Sequence, residues 1–377
     1  MKKVITFIIF CTAIFNFFYS QNNYTQLDSI ILFYNSNDSI GKYYKYVYKA
    51  EDYIMKGNFE KAAETYEKAF TYIDIPFLQD LGNAKECEMN SRKNEECIKK
   101  YIYFSIRKTG KKTGVLKNEE LQKLETWSDI KAMIDTLSAL NDTAVVNELE
   151  RIIFNDQDYR NQCHKKYNGN TYNEFTIDSI AKIDSINYYK LYRMFEKIDM
   201  SEEIFGYKGW EAVRVVLIHN SQRKEIYELL IKSVLDGKLN ARYVFSNLDG
   251  SNYKFENKYL FGGVAFGFNV SDDCYMYIKP KLKESLKINK YRQKIYLENI
   301  SDFHKKRIWQ MRNKDSGFFF YVGDTFYLNE ALLYNLITNG IFYDHKVNNL
   351  KLYYSSEEAK KTLENNAKKW AKEQSEL

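Results

Sequence analysis

The chain has 377 residues, with 56 Lys and Arg against 50 Asp and Glu, a net charge of +6 and five cysteines. Lys and Glu are interspersed along its length, which excludes the clustered basic face that nucleic-acid binding needs, and the two prolines, Pro76 and Pro280, leave long helices permitted nearly everywhere. No CxxC, HExxH, GxSxG or P-loop occurs, so zinc, thioredoxin-type, nucleophile-elbow and nucleotide-phosphate chemistries have no motif, and neither a metal nor a cofactor is expected.

Lys2 and Lys3 precede the apolar run "VITFIIFCTAIFNFF", followed by polar "YSQNNYTQ". This is the charged and apolar pattern of an export signal over residues 1–20, with a cut expected near Ser20–Gln21. Phe18 stands where a small residue is preferred, and the alternative is an uncleaved N-terminal anchor, the one route to membrane contact. The mature chain is expected outside the cytoplasm, periplasmic or secreted, where Cys87, Cys97, Cys163 and Cys274 meet oxidising conditions.

Residues 44–74 read as two helices. Tyr46, Ala50 and Tyr53 share one face, Gly57-Asn58 breaks the chain, and Ala62, Tyr66 and Ala69 share a second face. Small residues allow close helix approach and aromatics fill the gaps between them. The segment "GNFEKAAETYEKAF" resembles a tetratricopeptide repeat, and residues 81–108 repeat the plan in degraded form. The resemblance implies partner-protein binding through an inner face carrying Tyr44, Glu51 and Met55. Cys87 and Cys97 flank the second turn, where they either form a disulfide or act as small buried fillers. "RKTGKKTGVLKNEE", residues 107–120, reads as a solvated connector.

From residue 145 the period is helical again. Val146, Leu149, Ile152 and Ile153 mark one helix, and Ile177, Ile180, Ile183, Tyr188, Leu191 and Phe195 a second. "GWEAVRVVLIHN" is apolar nearly all round and is expected at the buried centre. "SQRKEIYELLIKSVLDG" follows, with Ser221 and Gly237 as expected caps. Residues 259–280 and 317–329 alternate and carry glycine, as β-hairpins would. The tail "SEEAKKTLENNAKKWAKEQ" is a polar helix with a serine cap.

Polar residues stand at intervals in this second region: Asp156, Gln157 and Arg160 in "DQDYR", Asp184 and Asn187 in "DSIN", His219 in "VVLIHN", Asp249 in "SNLDG" and Arg292 in "KYRQK". Their order resembles that of a bacterial helical family of uncharacterised function over about residues 148–303. Two positions depart from it: Ser221 replaces an acidic residue after the histidine, and "LFGGVAF" lacks a glutamine. Each residue also has a plain structural role open to it. Asp156 and Arg160 have ion-pair spacing, Asp249 precedes a glycine, and His219 shares a face with Ala212, Val215 and Val216.

The expectation is a mainly α protein: a signal over 1–20, tetratricopeptide-like repeats over 21–115, a helical connector over 116–144, a helical domain over 145–310, and an extension with a β-hairpin and a polar helix over 311–377. Two functions follow. One is an exported protein-interaction or ligand-binding protein of the cell envelope, with a protein partner at the repeats and no nucleic acid. The other is a hydrolase-like or anion-binding enzyme using the His219, Asp249 and Arg292 cluster.

Overall fold

The computed structural model describes residues 38–140, 142–167, 174–220, 225–245, 268–271, 274–278, 282–320, 350–354 and 356–375. The expected signal over 1–20 and Asp249 lie outside them. The described chain is mainly α. No helix among the described residues is long and apolar enough to cross a membrane.

Helix α1 (Asp38–Met55) packs on α2 (Phe59–Ala69), and α3 (Leu78–Met89) on α4 (Glu95–Thr109), with α2 and α3 also in contact. The α1–α2 turn uses Gly57 at φ +70°, where an L side chain would be strained, and Asn58 caps α2 by accepting from Lys61 N at 3.2 Å. Ala50, Ala62, Ala63 and Ala69 are all fully buried, and Tyr43, Tyr44 and Tyr66 fill the space that these small side chains leave. Two single helical turns and α5 (Trp127–Thr136) then cover the outer face of α4, closing a satellite core of Ile98, Ile102, Ile106, Leu121, Ile130 and Ile134.

The expected solvated connector begins inside α4. Lys108 is buried, with Nζ 2.7 Å from Glu202 Oε2 and 2.8 Å from Glu203 Oε1. A basic residue in the last turn of a helix suits the macrodipole there, and the acidic start of a later helix lies against it.

Three long helices form the second body: α6 (Thr143–Tyr167), α7 (Glu174–Phe195) and α8 (Glu202–His219), each touching the other two. Asp142 caps α6, accepting from Ala144 N at 2.9 Å, and Ser201 caps α8, accepting from Ile204 N at 3.2 Å. α9 (Glu225–Leu235) packs on α7, where Tyr188 donates to Glu225 Oε2 at 2.8 Å. Strand β1 (Phe268–Ser271) pairs antiparallel with β2 (Cys274–Ile278), Phe268 opposite Met276, and β2 pairs antiparallel with β3 (Leu350–Tyr354), Met276 opposite Leu352. β2 lies against α11 (Ile300–Arg312), which follows α10 (Leu282–Lys294). The terminal α12 (Glu357–Ser375) is capped by Ser356, which accepts from Ala359 N at 3.0 Å.

Gly317–Phe320, the start of the second expected hairpin, does not pair as a strand; residues 321–329 lie outside the described set. Asn83 of α3 holds the Phe319 backbone at both ends, accepting from its N–H at 2.8 Å and donating to its carbonyl at 2.7 Å. One apolar core runs from Ile40 to Phe320 and includes residues from α1 to α4 and from the three-helix body alike.

Candidate functional site

Midway along α6 and α7, at the C-terminal end of α8, six of the eight polar residues singled out in the sequence meet. Asp156 is at the centre, its side chain sealed from solvent. Gln157 donates to its Oδ2 at 2.6 Å, and Asn187 Nδ2 lies 3.5 Å from its Oδ1. His219 Nδ1 stands 2.9 Å from Oδ2, and Arg160 Nε stands 3.4 Å from the same oxygen. The other end of the Arg160 guanidinium pairs with Asp184. Each helix therefore contributes: α6 gives Asp156, Gln157 and Arg160, α7 gives Asp184 and Asn187, and α8 ends on His219.

Backbone geometry brings these elements together. Asp156 and Arg160 advance along α6 while their α7 partners, Asn187 and Asp184, run backwards, so these helices are antiparallel. Along α8 the approaches to α6 are Gly209 near Leu149 and His219 near Asp156, so α6 and α8 are parallel neighbours. A Cβ on Gly209 would stand 3.0 Å from Leu149 Cδ1 and 3.0 Å from Phe205 Cβ. Gly206, at φ +59° and ψ −174°, kinks α8 one turn after its start. Of the apolar face expected for His219, Ala212 and Val216 are buried and Val215 is half-buried. The histidine itself sits at the helix end and keeps 22% of its side chain exposed, with Arg160 at 24%.

The electrostatics separate the two carboxylates. Burial by itself would raise the Asp156 carboxyl; His219, Arg160 and Gln157 outweigh it and hold Asp156 below the usual range. Burial also acts on Asp184, where Arg160 offsets only part of it, and that carboxyl is raised. Two carboxylates share one guanidinium, and both already engage it.

Arg292 does not join this cluster. It is fully buried, its Nε donates to the Glu298 carbonyl, and its guanidinium lies 5.4 Å from the Phe245 ring centroid and 5.0 Å from that of Phe303. The two rings, themselves edge-on at 5.6 Å, and the carbonyl line the buried guanidinium.

The inner face expected to meet a partner is closed by the chain itself. Tyr44 and Glu51 are buried and Met55 half-buried. Tyr44 accepts from Ala241 N at 2.9 Å and stacks on Tyr296 at 5.8 Å. Glu51 takes Arg242 at 2.7 Å on one oxygen and Lys306 at 2.7 Å on the other. Arg242 also lies 3.4 Å from Asp80, which accepts from the Tyr43 hydroxyl, and Lys306 also pairs with Glu298. These residues escape a sequence reading because their partners are far apart in the chain; the one available signal is a charge inside an otherwise apolar helix, as in "NARYVF".

Of the two roles open to Cys87 and Cys97, disulfide or buried filler, the disulfide is not formed: both thiols are free. Cys87 is buried in the core, while Cys97 Sγ faces Glu67 at 3.5 Å, so the two thiols turn to different neighbours. Beside α3, a cleft of about 520 Å³ opens between Leu78, Gly82, Ile102, Val115, Leu121 and Phe319.

No family model matches the chain, and neither does any curated protein or solved structure.

Proposed function

We propose that the chain is an exported ligand-binding protein of the bacterial cell envelope, whose ligand is held where α6, α7 and α8 meet. The observation that carries this reading is the convergence of Asp156, Arg160, Asp184 and His219 from three separate helices, with His219 and Arg160 still reaching solvent. A cluster needed only for folding could be closed completely; this one keeps two donors at the surface. Two carboxylates around one guanidinium favour a cationic ligand over an anion, since an anion would have to displace a carboxylate from Arg160. Export rests on Lys2, Lys3 and the apolar run after them.

In the same reading, α1 to α4 are a tetratricopeptide-like module and residues 268–278 a minor β-hairpin. A protein partner would use the cleft beside α3, because the inner face is filled.

A second reading is favoured by the 2.9 Å approach of His219 Nδ1 to Asp156. With a carboxylate beside Nδ1, the imidazole would present Nε2 as a general base, the arrangement of a hydrolase.

The test is a thermal-shift screen of charged small molecules against the wild-type chain and Asp156→Asn. Cationic compounds that raise the midpoint of the wild type by several degrees, and not that of the variant, support the binding reading. Equal shifts in both chains overturn it. Ester hydrolysis lost in His219→Ala but kept in Lys305→Ala would move the conclusion to the second reading.

A further inference from the structure

We infer that Asp156, Asp184 and His219 form a site for a first-row transition-metal dication, with Arg160 as the resident cation that the metal replaces. The inference rests on the binding reading above and names its ligand class. One donor atom from each of the three residues lies within 4.8 Å of the other two. Bonds of about 2.1 Å to a central ion set neighbouring donors roughly 3 to 3.5 Å apart, so side-chain rotations of about an ångström complete the set. The donors are one imidazole nitrogen and two carboxylate oxygens. Imidazole suits zinc, copper, iron or nickel better than manganese, magnesium and calcium, which prefer oxygen ligands.

The surroundings supply what a ligand set needs beyond its own atoms. Gln157 and Asn187 hold the two oxygens of Asp156 in place, the orienting contacts that metal-bound carboxylates use. The guanidinium of Arg160 spans Asp156 and Asp184, where a cation is wanted, and its partial exposure gives it a path outward. A metal and Arg160 therefore compete for one position.

A second grouping of possible ligands among the described residues, Glu67, Glu88 and Cys97, lacks these properties. Arg92 already pairs with both glutamates, and burial with the nearby carboxylates pushes the Cys97 thiol up to about 11. A thiol so raised binds metal poorly, because the thiolate is the ligand.

The experiment is calorimetric titration of the tag-free chain with Zn²⁺ and with Mn²⁺, Mg²⁺ serving as contrast. One site is expected for Zn²⁺, with Mg²⁺ at least tenfold weaker. Asp156→Asn, Asp184→Asn and His219→Ala each weaken Zn²⁺ by tenfold or more, whereas Arg160→Met tightens it by about tenfold. Circular dichroism identifies any variant that has unfolded, and the Arg160 arm tests the idea by a gain of affinity that misfolding cannot imitate. Absence of a Zn²⁺ site in the wild type, unchanged affinity in folded His219→Ala, or weakened affinity in Arg160→Met overturns the inference. If Zn²⁺ does not bind while organic cations still shift the wild type and not Asp156→Asn, the metal is wrong and the binding reading stands. If neither binds, both fall.

Discussion

His304 lies within α11 with almost no solvent contact, edge-on to Phe303 at 5.2 Å. Burial, with Arg292 and Arg307 nearby, lowers its pKa from 6.5 to about 3. The unfolded chain takes up this proton below pH 6.5 and the folded chain does not, so the stability His304 contributes is complete above pH 6.5 and lost as pH falls toward 3. The slope is about 1.4 kcal/mol per pH unit inside that window. Asp80 acts in the opposite sense. Burial raises its carboxyl to about 6, despite Arg242, so the folded chain holds a proton that the unfolded chain releases above 3.8. Its contribution is complete below pH 3.8 and is lost as pH rises through 6. Between pH 6 and 4 the two slopes oppose each other, and Glu298, also raised by burial, adds to that of Asp80. Urea unfolding at pH 7, 6, 5 and 4 separates them. Asp80→Asn is expected to lose roughly 2 to 3 kcal/mol more than wild type between pH 6 and 4, and His304→Leu to lose less than wild type between pH 6.5 and 4. Parallel curves for all three chains would show that neither group titrates as its burial requires.

At the scale of the element, the candidate site depends on how closely α8 approaches α6. Gly209→Ala places a methyl 3.0 Å from both Leu149 and Phe205. Overpacking of this kind costs about 1 to 3 kcal/mol, against about 1 kcal/mol gained from helix propensity. A net loss of up to about 2 kcal/mol is expected in chemical denaturation, and adding Leu149→Val should recover part of it, because the two side chains share the strained contact. Full additivity of the two changes would place the strain elsewhere. The same glycine shows what the sequence could and could not convey. The three helices are legible from their apolar period and caps, and the polar set stands out because Asp156, Arg160, Asp184, Asn187 and His219 recur at positions that are otherwise apolar. Their pairing is not legible, because it rests on the Gly206 kink and the Gly209 contact, and neither leaves a periodic trace. Arg292 was grouped with them by order along the chain. Its place beside Phe245 and Phe303 depends on contacts that form only after α11 has packed.

Across the whole molecule, five charges sealed inside the core join segments far apart in sequence. Arg242 reaches Glu51 of α1 and Asp80 of α3, and Lys306 of α11 reaches Glu51 and Glu298. Three carboxylates against two cations leave one negative charge in excess, which explains why burial raises Asp80 and Glu298 rather than leaving all three ionised. Such a network adds little to stability relative to an apolar core, but removing one member strands its partners without solvent. Arg242→Met deprives both Glu51 and Asp80 of a counter-ion and is expected to cost about 3 to 5 kcal/mol. Adding Glu51→Gln should then cost less than it does alone, since the double variant buries one charge fewer. Because the core is continuous from Ile40 to Phe320, the N-terminal helix pairs and the three-helix body should melt together. Tryptophan fluorescence follows α5, α8 and α11 through Trp127, Trp210 and Trp309, and the far-ultraviolet signal follows all helices; coincident transitions are expected in wild type and in Arg242→Met. If the variant instead splits into two transitions, the buried charges are what couple the two halves, and the shared apolar core does not suffice.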